Sequence, residues 1–128
     1  MAFDEALTFG RVSGVCSSST GLTTSQFHAV TNLAAMVVST AAANRDGILQ
    51  DNPDKSQVGG VARSGISKAA ISASQALTAG VTLLEVDTGG TLKVHASGTI
   101  VAKARQTLAS TAVVCIAAVE ILPSNATF

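Results

Sequence analysis

The 128-residue chain contains no tryptophan and no tyrosine, and only four phenylalanines. Its core must therefore be assembled from Val, Ile, Leu and Ala, each of which buries less area than an aromatic ring. The same scarcity removes the stacking platforms on which single-stranded nucleic acids or sugars are held. Charge is scarce too, at 12% of residues, with eight basic and eight acidic side chains and a formal net charge of zero. The cations Arg11, Arg45, Lys55, Arg63, Lys68, Lys93, Lys103 and Arg105 are spread along the chain among acids, which points away from a nucleic-acid partner. Cysteine occurs twice, at Cys16 and Cys115, too few for a disulfide framework and without zinc-ligand spacing. The start, Met-Ala-Phe-Asp-Glu, is acidic where a secretion signal is basic. The uncharged stretch 29–43 is shorter than a membrane span and is interrupted by Thr31, Asn32, Ser39 and Thr40. No membrane partner is expected.

What is abundant is aliphatic: hydrophobic residues make up 47% of the chain. The length suits one modest core. With zero net charge, little electrostatic repulsion opposes self-association, so the chain reads as a subunit that buries surface against copies of itself or a partner. Residues 1–25 read as an N-terminal arm, rich in the turn formers Ser17-Ser18-Ser19-Thr20-Gly21 and Thr23-Thr24-Ser25. Phe3, Leu7 and Phe9 are its apolar anchors, with Arg11 beside them.

Residues 26–128 read as a β-domain. Phe27-His28-Ala29-Val30-Thr31 and Met36-Val37-Val38-Ser39 suggest a hairpin. A strand is expected over 58–71, with Gly59, Gly60 and Gly65 marking bulges or close backbone approach. Residues 81–87 and 91–95 form the clearest hairpin, joined through Thr88-Gly89-Gly90, and strands over 99–104 and 113–122 follow. Seven or eight short strands predict an all-β fold, a small barrel or jelly-roll-like sandwich. The alanine-rich stretches 31–44 and 67–77 allow a short helical turn or two.

The chemistry-bearing motifs are weak. Asp87-Thr88-Gly89 has the form of an aspartic-protease loop, but it is followed by a second glycine, as a tight turn requires, and the last apolar run contains no glycine for a second half-site. No Gly-x-Ser-x-Gly elbow occurs, and Ser64 and Lys68 miss the Ser-x-x-Lys spacing by one residue. His28 and His95 are the only candidate bases. Asp46, Asp51, Asn52 and Asp54 lie close in sequence but not at calcium-loop spacing. No catalytic, cofactor or metal residue is assigned, and an enzyme is not expected.

The order of turns nevertheless carries information. Gly47-Ile48-Leu49 leads to an Asn52-Pro53 loop, then Val58-Gly59-Gly60-Val61-Ala62 with a downstream Gly65. Ala79-Gly80-Val81 leads into a strand, Asp87-Thr88-Gly89-Gly90 follows, and Ile116-Ala117-Ala118-Val119-Glu120 closes the tract. This pattern resembles the capsid cement, or head decoration, proteins of tailed bacteriophages. It departs where that family often has a glycine before the last strand, at Ala104-Arg105-Gln106. The resemblance implies a compact β-domain, usually trimeric, on the outside of a phage head, stabilising contacts between major capsid subunits without catalysis or cofactors. Phe3, Leu7, Phe9 and Arg11 are then the expected contacts to a capsid subunit or a neighbouring copy. The alternatives are another self-assembling phage subunit, such as a tail or fibre piece, or an adhesive binding module.

Overall fold

The computed structural model describes residues 11–41 and 45–122. Among these residues ten strands are formed: β1 (Arg11–Val15), β2 (Ala29–Thr31), β3 (Val37–Val38), β4 (Gly47–Leu49), β5 (Val58–Ala62), β6 (Gly65–Ile71), β7 (Leu83–Val86), β8 (Leu92–Val94), β9 (Ile100–Ala104) and β10 (Cys115–Ile121). The chain divides them in order. The first five make a sheet in the order β1-β5-β4-β2-β3, and the last five a closed barrel in the order β10-β6-β8-β7-β9.

Side-chain alternation explains how the two halves join. In the first sheet, Ala29, Ile48 and Ala62 stand in one cross-strand row, with Ile48 opposite both Ala29 and Ala62. That row belongs to the barrel's core, together with Ala69, Ile71, Leu84, Val86, Leu92, Val101, Ala102, Ala104, Ala117, Val119 and Ile121. Their immediate neighbours Val30, Leu49 and Val61 point the other way and pack with Cys16, Leu22 and Met36 into a second core. A strand with both faces buried reads as a continuous apolar run, which is why Gly-Ile-Leu at β4 shows no alternation although all three residues are buried. The sheet curls until its edges meet: Cys16 bridges Met36, and Met36 N–H donates to Val15 C=O at 2.7 Å.

The described alanines do not form helices. Ala69, Ala102, Ala104 and Ala117 line the barrel, where five strands leave an interior too narrow for large side chains throughout. Packing thus overrides helix propensity. Among the described residues the only helical element is a 3-10 turn, Thr88–Gly90.

The strand expected over 58–71 is instead two strands in different sheets. It breaks at Arg63-Ser64, and Gly65 takes φ +82°, a left-handed conformation that other residues adopt only with strain. This corner hands the chain from sheet to barrel. β1 falls within the segment read as an arm and pairs antiparallel with β5 along its whole length, from Arg11 opposite Ala62 to Val15 opposite Val58.

Candidate binding surface

The polar groups that the sequence offered for chemistry are used by the fold. Asp87 caps the 3-10 turn: its carboxylate accepts from Thr88 N–H at 2.8 Å and from the Ser72 hydroxyl at 2.7 Å. The Ser72 bond and the Thr88 N–H hold the Asp87 carboxyl below the usual range, against the opposing effect of burial. Gly89 and Gly90 take φ +78° and +85°, and a Cβ on Gly90 would lie 2.8 Å from Ala29 C=O. The Asp-Thr-Gly-Gly sequence is thus accounted for as a turn.

Glu85 is 2% exposed and lies on the opposite side of β7 from the core residues Leu84 and Val86. Its Oε1 accepts from the backbone N–H groups of Ala96, Ser97 and Gly98 at 2.6, 3.1 and 3.0 Å. Lys93 Nζ stands 3.8 Å from Oε2, and His95 Nδ1 is 3.1 Å from Oε1. Burial raises the Glu85 pKa, but the Ala96 and Gly98 N–H groups, the Lys93 ammonium and the Ser97 N–H outweigh it and hold the carboxyl below its ordinary value. This carboxylate is a loop anchor.

The acids near the sheet likewise each serve a turn. Asp46 accepts from Asn32 N–H, Asp51 from Gly60 N–H and Asp54 from Lys55 N–H. Asn52 accepts from Gln26 N–H. Among the described residues no group of three or more His, Cys, Asp or Glu is placed to hold a metal ion. Cys16 is buried, Cys115 half-buried, and both are free thiols. His28 Nδ1 lies 2.8 Å from Gly89 C=O, so this ring braces the turn.

What the polar network leaves open is surface. Of the expected contact residues, Phe3, Leu7 and Phe9 lie outside the described residues; Arg11 opens β1 and is exposed. The exposed large apolar side chains fall into two groups of particular interest. Val15 and Val58 face each other across β1 and β5, with Val58 65% exposed. The other group lies on the barrel: Ile66 on β6 is 69% exposed, and Val113, Val114 and Ile116 at the start of β10 are 64%, 53% and 45% exposed.

The register of β6, β10 and β9 gives this second group its setting. Ile66 stands opposite Glu120, Lys68 opposite Ala118 and Ala70 opposite Ile116. On the other flank, Lys103 stands opposite Glu120, and Arg105 forms an ion pair with Glu120. Because the intervening residues Ala69, Ala117, Val119 and Ala104 face the core, these side chains share the barrel's outer face. Lys68 also lies 5.9 Å from the Phe27 ring centroid, a cation–π distance. Arg63 lies at the corner where β5 becomes β6 and donates to Asp46 C=O, while the Arg11 guanidinium lies over Gly60, near Asp51. Lys68, Lys103 and Arg105, dispersed along the sequence, are therefore gathered by strand pairing, with Glu120 as the acid among them. The only sequence signal was the alternation Ile66-x-Lys68 and Ile116-x-Ala118-x-Glu120, which is readable only once strand partners are known.

No family model and no curated protein sequence matches the chain. In structure it is similar to the N base of head fibre gp8.5 of bacteriophage phi29, with a TM-score of 0.62 at 13% sequence identity, over 92% of this chain and 99% of that chain. The likeness is one of fold across essentially the whole of both chains.

Proposed function

We propose that the chain is a structural protein of a phage virion, seated on the outside of the head and acting by adhesion rather than catalysis. The observation that carries this reading is the fold shared with a head-fibre base over nearly the full length of both chains, which agrees with the head-protein resemblance of the turn order. The carboxylates of Asp46, Asp51, Asp54, Glu85 and Asp87 are engaged in holding loops, while apolar and basic side chains populate the open face of β6, β10 and β9.

In the finer form of this reading, the protein is a cement protein. It sits as a homotrimer on the major capsid protein and braces neighbouring capsid subunits. Phe3, Leu7, Phe9 and Arg11 contribute contacts to a capsid subunit or to a neighbouring copy. Apolar burial contributes roughly 25 cal/mol per Å² before association costs, and three linked copies multiply weak contacts by multivalency. A second form, the base of a head fibre, is favoured by the specific identity of the structural neighbour. The two differ in stoichiometry. Sedimentation of expanded heads mixed with saturating protein separates them: cement binds in numbers comparable to the capsid subunits, a fibre base only at sparse sites. Failure to co-sediment at any concentration would overturn both.

A further inference from the structure

The outer face of β6, β10 and β9 combines exposed apolar and basic side chains. It exposes Ile66 and Ile116, with Val113 and Val114 at its margin. It also carries Lys68, Lys103 and Arg105 against Glu120, which pairs with Arg105. Exposed apolar side chains set among polar ones mark a contact surface, and the excess of three cations over one carboxylate makes its complement an apolar segment bearing carboxylates.

The chain itself contains such a segment. Residues 1–10 hold all three apolar members of the expected contact set, Phe3, Leu7 and Phe9, together with Asp4 and Glu5 and no Lys or Arg. Laid out as a strand, Phe3, Glu5, Leu7 and Phe9 fall on one side, which pairs apolar side chains with one carboxylate as the face pairs Ile66 and Ile116 with Lys68. Ten extended residues reach roughly 33 Å, enough to cover a seven-residue strand such as β10, which spans about 23 Å. The segment joins the fold at Arg11, opposite Ala62, next to the corner that starts β6.

We propose that this face receives residues 1–10 of a second copy of the chain. The inference rests on the structural-subunit reading above and supplies its lateral contact. Donor segment and acceptor face are different surfaces, so the contact is head-to-tail and closes only as a ring. Exchange of an identical segment between copies is a low-cost route to such an assembly, because each chain already carries both halves.

The test uses the 128-residue chain without heads, so its outcome is independent of head binding. Sedimentation equilibrium of the unaltered chain shows a discrete closed oligomer. Phe3→Ser/Leu7→Ser/Phe9→Ser shifts it to monomer, with an unchanged far-ultraviolet circular dichroism spectrum. Lys68→Glu/Arg105→Glu weakens association by about fivefold or more, the scale of one or two exposed charge pairs. Adding Asp4→Lys/Glu5→Lys to that variant restores association, which a nonspecific loss of stability does not do. A monomeric unaltered chain overturns the proposal, as does an oligomer indifferent to the triple serine variant. So does a charge-reversed variant that Asp4→Lys/Glu5→Lys fails to rescue.

Discussion

Removing the Glu85 carboxylate tests the physical account of the barrel most sharply, because one side chain fixes a whole loop. Its Oε1 takes three consecutive backbone N–H groups, from Ala96, Ser97 and Gly98. A hydrogen bond to a charged group contributes roughly 1.5–3 kcal/mol. Three bonds to one oxygen share its charge, and Ala96 and Ser97 are exposed enough to rehydrate, so the sum is smaller than three times that range. Glu85→Ala should cost about 2–4 kcal/mol, by the same bond energies and the desolvation of what remains buried. Glu85→Gln keeps the shape and an acceptor oxygen but not the charge, and should cost about half as much. With a urea slope of roughly 2 kcal/mol per M, Glu85→Ala lowers the unfolding midpoint by about 1–2 M. The pH dependence follows from the depressed carboxyl pKa. The unfolded chain holds the Glu85 proton at higher pH than the folded one. The stabilisation is therefore complete above the unfolded value, about 4.3, and fades as pH falls through the lower folded value. The stabilities of the unaltered protein and Glu85→Gln should converge in acid. A midpoint unchanged by Glu85→Ala, or a difference between unaltered protein and Glu85→Gln that persists undiminished at pH 2, would refute the reasoning.

Further predictions concern the corner, the turn and the core. Gly65→Val forces a β-branched residue into φ +82° and should destabilise by about 1–3 kcal/mol in chemical denaturation, whereas Ile66→Ser, on an exposed position, should change folding stability by less than about 0.5 kcal/mol. Ser72→Ala removes the hydroxyl that donates to Asp87, so the Asp87 pKa should rise toward the ordinary carboxylate range, as read by carboxyl NMR titration. Leu84→Ala empties a fully buried barrel position and should cost about 2–5 kcal/mol; a smaller loss would mean that the barrel core is not tightly packed there.

Sequence and structure agree where the determinants are local. The hairpin of β7 and β8 was legible because Asp87-Thr88-Gly89-Gly90 specifies its turn within a few residues, and the hairpin of β2 and β3 because Val30-Thr31 and Val37-Val38 flank a short connection. β1 was hidden because Arg-Val-Ser-Gly-Val sits among Ser and Thr and gains its strand character from β5, more than forty residues away. The division of 58–71 was hidden because an apolar tract does not reveal the sign of φ at Gly65. The alanines of β6, β9 and β10 read as helix formers until barrel closure supplied the reason for small side chains. The contact face was the least legible feature. Its cations come from β6 and from β9 and its end, and only the register of these strands on β10 brings them together.

The central claim is that this chain is a head-exterior structural subunit. Its most direct test is to mix the purified protein with expanded empty phage heads and count bound copies per head by quantitative sedimentation. The account predicts saturation at a fixed ratio, by an oligomer whose mass is a whole multiple of the chain. Protein that remains in the supernatant as a monomer at every concentration would contradict it.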